Sequence, residues 1–371
     1  TRALLDAIRT DLGDAGLDLP VYWGNRNWHP YLAETLRTMR DDGITSAACF
    51  VTSAYSSYSG CRQYRENLYD AVAEVEADGG GPAPRLDKLR HYFDHPGFVA
   101  TMADHVVEAA QRVGVAAPRL VFTTHSIPLS SAAASGPDGD AYVAQHRAVA
   151  QLVHERAGSR VALDPEWDLV YQSRSGPPQV PWLEPDINDV IAALPGEGRR
   201  AAVIVPLGFV SDHMEVLWDL DTEAMETAAE HGITAVRTPT PGIHPVYVAG
   251  LVDLIVELGQ QRRRFGFRAR RPVQLEGRYV DLPQIRPRVG GVCRGGIEGV
   301  MRQRLIFVVE RRLKRRLFPC FANALGIGRG RFTRRHRHWR HRRRGLSGFR
   351  RRRHRGRRRG RRSRQRELRR G

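Results

Sequence analysis

Apolar residues in the first 258 positions follow two alternating spacings. Short continuous apolar runs are typical of buried parallel strands. Between them, apolar residues recur every three or four positions, as in amphipathic helices. The predicted strands are 19–23, 46–52, 119–123, 168–172, 201–205 and 233–237, and the predicted helices are 3–16, 30–41, one from about 62, 95–113, 140–157, 186–194 and 245–258. Strands that alternate with helices predict an α/β fold, with parallel sheets covered by helices on both faces.

The stretch after the predicted strand 201–205 carries an unusual row of acids. Ser211 or Asp212 is expected to cap the following helix. Glu215, Asp219 and Glu223 then fall at i, i+4 and i+8, so a helix would present three carboxylates in one row. Like charges at this spacing repel, and the row indicates either a cation site or an acidic solvated helix face.

Ligands of open α/β sheets bind beyond the carboxyl ends of the strands. This rule predicts that the loops 53–64, 124–130, 172–184, 206–215 and 238–245 share one region. The candidate side chains there are Tyr55, Tyr58, Tyr64, His125, Gln172, Trp182, His213, Glu215 and His244. Aromatic rings, imidazoles and carboxylates in one cleft would suit a large flat ligand and a metal ion.

Four blocks of the sequence resemble the ferrochelatase family in the expected order. They are TTHSIP at 123–128, PLGFVSDHMEVLWDLD at 206–221, VYQSRSGPPQVPWLEPD at 170–186, and the segment 21–60. The resemblance spans about residues 1–258. It implies insertion of Fe²⁺ into a porphyrin in haem biosynthesis, a lyase reaction that needs no redox cofactor or ATP.

The resemblance also implies a domain organisation. Two Rossmann-like, chelatase-type lobes would cover 1–116 and 117–244, and a helix at 245–259 would pack back on them. Residues 260–371 have no counterpart in the family and are predicted to be a disordered basic tail.

Site residues follow from the matched blocks. The resemblance places the active-site histidine on His125 and the metal-site glutamate on Glu215, and both would be catalytic residues and metal ligands. Tyr64 would contact the porphyrin, and Asp219 and Glu223 would form an acidic ridge. A neutral imidazole can accept a proton near physiological pH and can bind a borderline metal. The alternatives are a capping or core role for His125, a packing role for Tyr64 and a solvated face for the ridge.

The segment SGCRQYRE at 59–66 resembles the monoderm bacterial branch of the family. Members of that branch resemble coproporphyrin III chelatases, so coproporphyrin III is the expected porphyrin and protoporphyrin is the alternative. Ser56 and Tyr58 are weaker candidates than Tyr64 for the porphyrin contact.

Two departures from the family are visible. The chain starts at Thr1 without Met, whereas related chains begin some tens of residues earlier, so an N-terminally truncated member that lacks the first strand is expected. Several branch members carry a [2Fe–2S] cluster, which usually needs four thiolates. Cys61 matches the internal ligand, but only Cys293 and Cys320 follow, far apart, so the cluster is predicted to be absent. Cys49 is predicted to be a buried apolar residue.

Charge divides the chain into two unlike pieces. Residues 260–371 contain 40 Arg or Lys and 5 Asp or Glu. Residues 1–259 contain 19 Arg or Lys and 35 Asp or Glu. The composition of the second piece is that expected of GC-rich DNA translated out of frame. The alternatives are nucleic-acid binding through Arg334–Arg370 and adhesion to an anionic membrane helped by the apolar patch Leu305–Val309.

Composition also limits the class of protein. Because no apolar run reaches 18 residues, no membrane-spanning helix is expected. Four irregularly spaced cysteines indicate a reducing cytoplasm. The leading hypothesis is a monomeric cytoplasmic ferrochelatase without a specific nucleic-acid partner. The alternatives are a non-catalytic porphyrin- or metal-binding remnant, nucleic-acid binding through the basic tail, and a cobalt chelatase of corrinoid synthesis.

Overall fold

A computed structural model of the protein describes residues 2–264 and 304–309. The ten α-helices of the described residues are α1 Arg2–Asp14, α2 Leu32–Asp41, α3 Gln63–Ala77, α4 Pro96–Arg112, α5 Leu129–Ala133, α6 Ala141–Gly158, α7 Ile187–Ala193, α8 Met214–Trp218, α9 Met225–Glu230 and α10 Pro245–Arg264. The eight strands of the same residues are β1 Val21–Asn25, β2 Ser46–Val51, β3 Arg85–Lys88, β4 Arg119–His125, β5 Trp167–Gln172, β6 Ala201–Val205, β7 Thr234–Arg237 and β8 Arg304–Val309. The α/β class predicted from the apolar spacing is confirmed.

The second sheet has the order β5-β4-β6-β7, and all its pairs are parallel. Its two central strands, β4 and β6, are continuous buried runs, because helices cover both faces. The carboxyl ends of all four strands therefore lie at one edge, where the loops that follow them begin.

The first sheet has the order β1-β8-β2-β3. β2 and β3 are parallel, whereas β8 lies between β1 and β2 and is antiparallel to both. Two parts of the segment after residue 259 are ordered in the structure, since α10 continues to Arg264 and Arg304–Val309 form β8. The physical reason for the strand is an apolar, largely β-branched sequence beside two strand edges that need a partner. Cys293, Cys320 and Arg334–Arg370 lie outside the described residues.

Two elements of the described residues have no counterpart among the predicted strands and helices. β3 begins at Arg85 and pairs with β2. It is a short charged edge strand, which has no apolar run to reveal it. α5 occupies Leu129–Ala133, ahead of the predicted helix 140–157.

One hydrophobic core runs through both sheets. The same cluster contains Phe50 of the first sheet and Val203 of the second, with Met102 of α4 as a further member. Helix α4 packs against α6, α10 and β6. The lobe boundaries at 116/117 and 244/245 remain a prediction. None of the helices in residues 2–264 has the length and apolarity of a membrane span.

Candidate active site

His125 is the last residue of β4, at the carboxyl edge of the second sheet. Its Nδ1 lies against the carbonyl oxygen of Ser126. A carbonyl only accepts, so Nδ1 donates, and in the neutral ring Nε2 carries no proton. The backbone carbonyl of His125 itself accepts a hydrogen bond from the Tyr142 hydroxyl at 2.9 Å. The fold therefore fixes both the position and the tautomer of this imidazole.

Glu215 approaches His125 from the first turn of α8. The distance between His125 Nε2 and Glu215 Oε1 is 3.6 Å, and both side chains are about one fifth exposed. This separation is longer than a hydrogen bond, and Glu215 Oε1 has no hydrogen-bond partner. Two acceptor atoms thus face each other across a gap that a proton or a cation could bridge.

Burial shifts the pKa values of this pair in opposite directions. Loss of water contact lowers the pKa of His125 below 6.5. The hydrogen bond to the Ser126 carbonyl and the charge of Asp219 act in the opposite direction, but burial is the larger effect. Loss of water contact also raises the pKa of Glu215 above 4.5, and the nearby Asp219 adds to this. At pH 7 the imidazole is neutral, and the carboxyl holds a proton more readily than an exposed one does.

Asp219 connects this pair to the loop after β5. Its Oδ2 accepts hydrogen bonds from the Ser173 hydroxyl and, at 3.2 Å, from Gln172 Nε2. Ser173 has a φ of +63°, a left-handed conformation that costs free energy in a residue with a side chain. This backbone conformation presents the Ser173 hydroxyl to Asp219.

The acidic row does not lie on a regular α-helix. α8 ends at Trp218, and Asp219–Ala224 form a π-helical segment that leads into α9. Glu223 Oε1 accepts a hydrogen bond from Trp218 Nε1 at 2.9 Å. π-helical segments are frequent at functional sites, and the four-residue spacing of the acids could not reveal this one.

The predicted helix cap at Ser211 or Asp212 is wrong. α8 begins at Met214, and His213 caps it, since its Nδ1 accepts a hydrogen bond from the Val216 N–H at 3.2 Å. An imidazole nitrogen serves as the cap acceptor here in place of a hydroxyl or carboxylate. His213 was predicted to be one of the candidate side chains of the cleft, and the helix cap engages its Nδ1.

Arg237 was missed by sequence reasoning. It ends β7 and pairs with Asp212 at 3.1 Å and with Asp221 at 2.9 Å. These ion pairs neutralise Asp212 and Asp221, which have no Lys or Arg near them in sequence. Only the parallel β6–β7 pairing brings this arginine alongside, so no local signal could have found it.

Four of the five predicted loops are joined by hydrogen bonds. The Leu183 N–H donates to Ile127 O, the Gly242 N–H donates to Val210 O, and Ser173 contacts Asp219. The fifth loop, 53–64, contacts α6 instead, where Gln145 bonds to Ser56 and Tyr55 stacks on His146 with ring centroids 3.6 Å apart.

Tyr64 lies in the first turn of α3. Its side chain is completely buried (0% exposed) in a cluster with Leu36, Leu68 and Val75. The Arg26 guanidinium lies 5.4 Å from its ring centroid. The structure thus gives Tyr64 a packing environment, and its porphyrin contact remains a prediction.

The weaker candidates and the remaining histidine of the cleft are engaged by protein groups. Ser56 is buried against Gln145, and the exposed Tyr58 donates its hydroxyl hydrogen to Glu66 at 3.0 Å. His244 Nδ1 lies 3.1 Å from the Thr101 hydroxyl, between α4 and α10.

No group of three or more His, Cys, Asp or Glu side chains within residues 2–264 is arranged to hold a metal ion. His125 Nε2 and Glu215 Oε1 are two possible donor atoms, 3.6 Å apart. Cys49 is buried in β2, and Cys61 is partly exposed. The predicted absence of a [2Fe–2S] cluster remains a prediction.

The family model and the curated relatives that match this chain agree on one family. A family model described as Ferrochelatase matches residues 1–258. Coproporphyrin III ferrochelatase of Leifsonia xyli subsp. xyli is 53% identical over 276 residues, which cover 69% of this chain and 69% of that protein. The protein of the same name from Streptomyces griseus subsp. griseus is 54% identical over 270 residues, covering 71% and 72%. Among solved structures, SirB from Bacillus subtilis aligns with a TM-score of 0.43 at 14% identity, covering 64% of this chain and 81% of that one.

Proposed function

The chain belongs to the ferrochelatase family, and from this premise we propose that it inserts Fe²⁺ into coproporphyrin III in haem biosynthesis. The porphyrin follows from the names of its relatives, which share about half of their residues with this chain. The proposal assigns the chemistry to the carboxyl edge of the second sheet.

The pair of His125 and Glu215 is the observation that carries this assignment. A free-base porphyrin has two pyrrole N–H groups and loses both protons when the metal enters. An enzyme for this reaction needs a proton acceptor that is unprotonated at pH 7. His125 fits, because its Nε2 carries no proton, its pKa is lowered by burial and it faces Glu215 Oε1 at 3.6 Å.

The proposed step balances without a redox partner. His125 Nε2 takes one pyrrole proton, the Glu215 carboxylate takes the second, and the two pyrrole nitrogens bind Fe²⁺ as their N–H bonds break. Iron stays divalent, and two protons reach solvent for each iron inserted. Imidazole and carboxylate also suit a borderline divalent cation, so the same two groups would hold the incoming substrate iron.

Asp219 and Glu223 would serve as the acidic ridge of the proposal. Asp219 contacts Ser173 and Gln172, and Glu223 lies one π-helical turn away toward the exposed side. A row of carboxylates lowers the free energy of a positive charge between them. Such a row would conduct iron inward or protons outward.

The proposal has several finer parts. The protein would act in the cytoplasm as a monomer, without a [2Fe–2S] cluster, and Tyr64 would support the porphyrin from the first lobe. A specific nucleic-acid partner is not part of the proposal. The porphyrin would reach the cleft through the edge where the loops after β4, β5 and β6 meet.

Anaerobic insertion of Fe²⁺ into coproporphyrin III by the full chain tests the proposal. Absorbance spectra would follow loss of the free-base porphyrin and appearance of the metalloporphyrin. Wild type should turn over, and His125→Ala should lose at least about a hundredfold in rate. His231→Ala is the matched control, because His231 lies exposed at the end of α9.

The outcomes separate the alternatives. Porphyrin binding without metal insertion by the wild-type chain would show a non-catalytic binder and contradict the proposal. Turnover that survives His125→Ala would leave the family standing but refute the assigned base. Insertion into protoporphyrin at a higher kcat/KM than into coproporphyrin III would refute the assigned substrate.

A further inference from the structure

Helix α6 contacts both the candidate base and the loop that follows β2. Near the start of the helix, the Tyr142 hydroxyl donates to the backbone carbonyl of His125 at 2.9 Å. Three and four residues later, Gln145 and His146 contact the loop 53–64. Residues at i, i+3 and i+4 lie on one face of a helix, and one turn rises about 5.4 Å. The loop is therefore held about one helical turn from the residue that anchors the base.

The amide of Gln145 makes a two-point contact with Ser56. The Ser56 N–H donates to Gln145 Oε1 at 2.8 Å, and Gln145 Nε2 donates to Ser56 Oγ at 2.9 Å. Because a backbone N–H only donates, the amide oxygen must face it, and this fixes the orientation of the amide group. Ser56 is buried (6% exposed), and a buried N–H without an acceptor is costly. One side chain thus joins two segments that are 89 residues apart.

The neighbouring pair of Tyr55 and His146 reinforces this contact. Their rings stack with centroids 3.6 Å apart and planes 16° apart, and both residues are buried. His146 Nδ1 donates to the Tyr142 carbonyl at 2.7 Å, which orients the imidazole for stacking. One turn of α6 therefore holds Tyr55 and Ser56, two consecutive residues of the loop.

The rest of the loop is packed on itself. Ser57 Oγ accepts a hydrogen bond from the Gly60 N–H at 2.9 Å and caps the π-helical segment that follows. A β-carbon at Gly60 would lie 2.8 Å from the Tyr55 carbonyl oxygen, so glycine allows the chain to approach itself this closely. A displacement at Ser56 should therefore move the loop as a whole, including the exposed Tyr58.

We propose that Gln145 is a positioning residue, which holds the loop 53–64 as the wall of the porphyrin cleft that the first sheet contributes. The inference rests on the proposed function, since coproporphyrin III is the ligand that this wall would contact. A porphyrin is a flat ring, and a wall that is fixed before binding loses less conformational freedom when the ring enters. Without the Gln145 amide, the ligand must order the loop, so affinity for the porphyrin should fall.

Gln145→Met in the full chain tests the proposal, because it removes both hydrogen bonds and nearly preserves the side-chain volume. Titration with coproporphyrin III without iron, followed by porphyrin fluorescence, should give a Kd about tenfold above that of wild type. In insertion assays, KM for coproporphyrin III should rise by a similar factor, whereas KM for Fe²⁺ should not change. A general loss of stability would not separate the two KM values in this way.

Gln151→Met is the matched control. Gln151 lies on the same helix, and its amide also makes two hydrogen bonds, accepting from Trp167 Nε1 at 3.1 Å and donating to Glu155 Oε1 at 2.6 Å. Both partners lie outside the loop 53–64, so the porphyrin Kd should stay at the wild-type value. An equal rise in both variants would overturn the proposal, because Gln145 would then act only through the stability of α6.

Hydrogen exchange reports the position of the loop directly. Gln145 Oε1 protects the Ser56 amide in wild type, so Gln145→Met should speed its exchange and leave the amides of β2 unchanged. Faster exchange with unaltered porphyrin affinity would overturn the proposal, since the loop would then not be a wall of the binding site. If Gln145→Met does not fold, Ser56→Ala removes the hydroxyl bond alone and should raise the porphyrin Kd about threefold. An unchanged Kd in Ser56→Ala would also overturn the proposal.

Failure of this inference and failure of the proposed function give different results. Porphyrin binding by wild type without insertion of iron would contradict the assigned reaction alone, since the affinity of Gln145→Met still decides the role of Gln145. A wild-type chain that binds no coproporphyrin III would contradict both.

Discussion

The two sheets of this protein are closed in different ways. All four strands of the second sheet come from the continuous stretch 119–237 and pair in parallel. The first sheet takes β1, β2 and β3 from the start of the chain, but its fourth strand returns antiparallel from Arg304–Val309. Pairing over such a long separation requires loop closure before it gains any contact. The second sheet is therefore the more self-contained unit.

The candidate chemistry follows the same division. His125, Ser173 and Glu215 all lie on the second sheet or on the segments that leave it. The first sheet contributes the hydroxyl-rich loop 53–64, which contacts α6 through Ser56. The candidate reacting groups and the long-range closure therefore lie in separate parts of the molecule. Substitutions in the second sheet should thus change rate or local stability without opening the first sheet.

Glu215→Gln should reduce the rate of insertion more than any other change considered below. The amide keeps the shape of the carboxylate but removes its charge and its capacity to accept a proton, so kcat/KM should fall about 10²- to 10⁴-fold. Iron insertion assays would measure the rate, and hydrogen exchange of β8 should not change. Glu226→Gln on the exposed side of α9 is the control. A loss below threefold would break the link between the second sheet and the chemistry.

The pH dependence of insertion should show the neutral state of His125. Protonation removes the base, and burial lowers the pKa of His125 below 6.5. The rate should therefore hold from pH 8 down to 6.5 and fall with a midpoint below 6.5, about tenfold for each further pH unit. Initial rates of kcat/KM between pH 5 and 8 measure this limb. A midpoint above pH 7 would show that another group controls the reaction.

Gly208→Ala should damage the second sheet locally. A β-carbon at this position would lie 2.0 Å from Thr124 Oγ1 and 2.9 Å from Thr124 Cα, next to His125. Because backbone cannot move aside cheaply, we expect a loss of about 1–3 kcal/mol in the free energy of unfolding. Urea denaturation would measure it. Gly196→Ala is the control, since no atom lies within 4 Å of its added carbon; an equal loss there would contradict the packing explanation.

Much of the second sheet could be predicted from sequence, because its signals are local. The run 201–205 is observed at the same bounds, and the strand predicted at 119–123 extends only to His125. His125 and Glu215 come from different loops, yet the shared carboxyl edge of parallel strands predicted that they meet, and they do.

The features that could not be predicted depend on contacts between residues that are distant in sequence. β3 and β8 need β2 beside them, and Arg237 reaches Asp212 only through the pairing of β6 with β7. The π-helical segment at Asp219–Ala224 leaves the spacing of the acids unchanged. Tyr64 lies in the segment 59–66 that resembles the family, but its side chain is buried in a core to which α2 and α3 both contribute.

Tyr142→Phe should change the rate least, and it separates the positioning of His125 from the chemistry of its imidazole. The Tyr142 hydroxyl has one hydrogen and donates it to the His125 carbonyl at 2.9 Å, so Thr124 donates to it at 2.8 Å. Tyr142→Phe removes both bonds at a cost of about 1 kcal/mol each in stability. We expect kcat to fall several-fold with KM unchanged, because the imidazole loses its anchor but the cleft keeps its walls.

Tyr247→Phe removes an equally buried hydroxyl from α10 and should leave kcat unaltered. If both variants lose the same activity, Tyr142 acts only through general stability, and the second sheet would not need this anchor to hold its base.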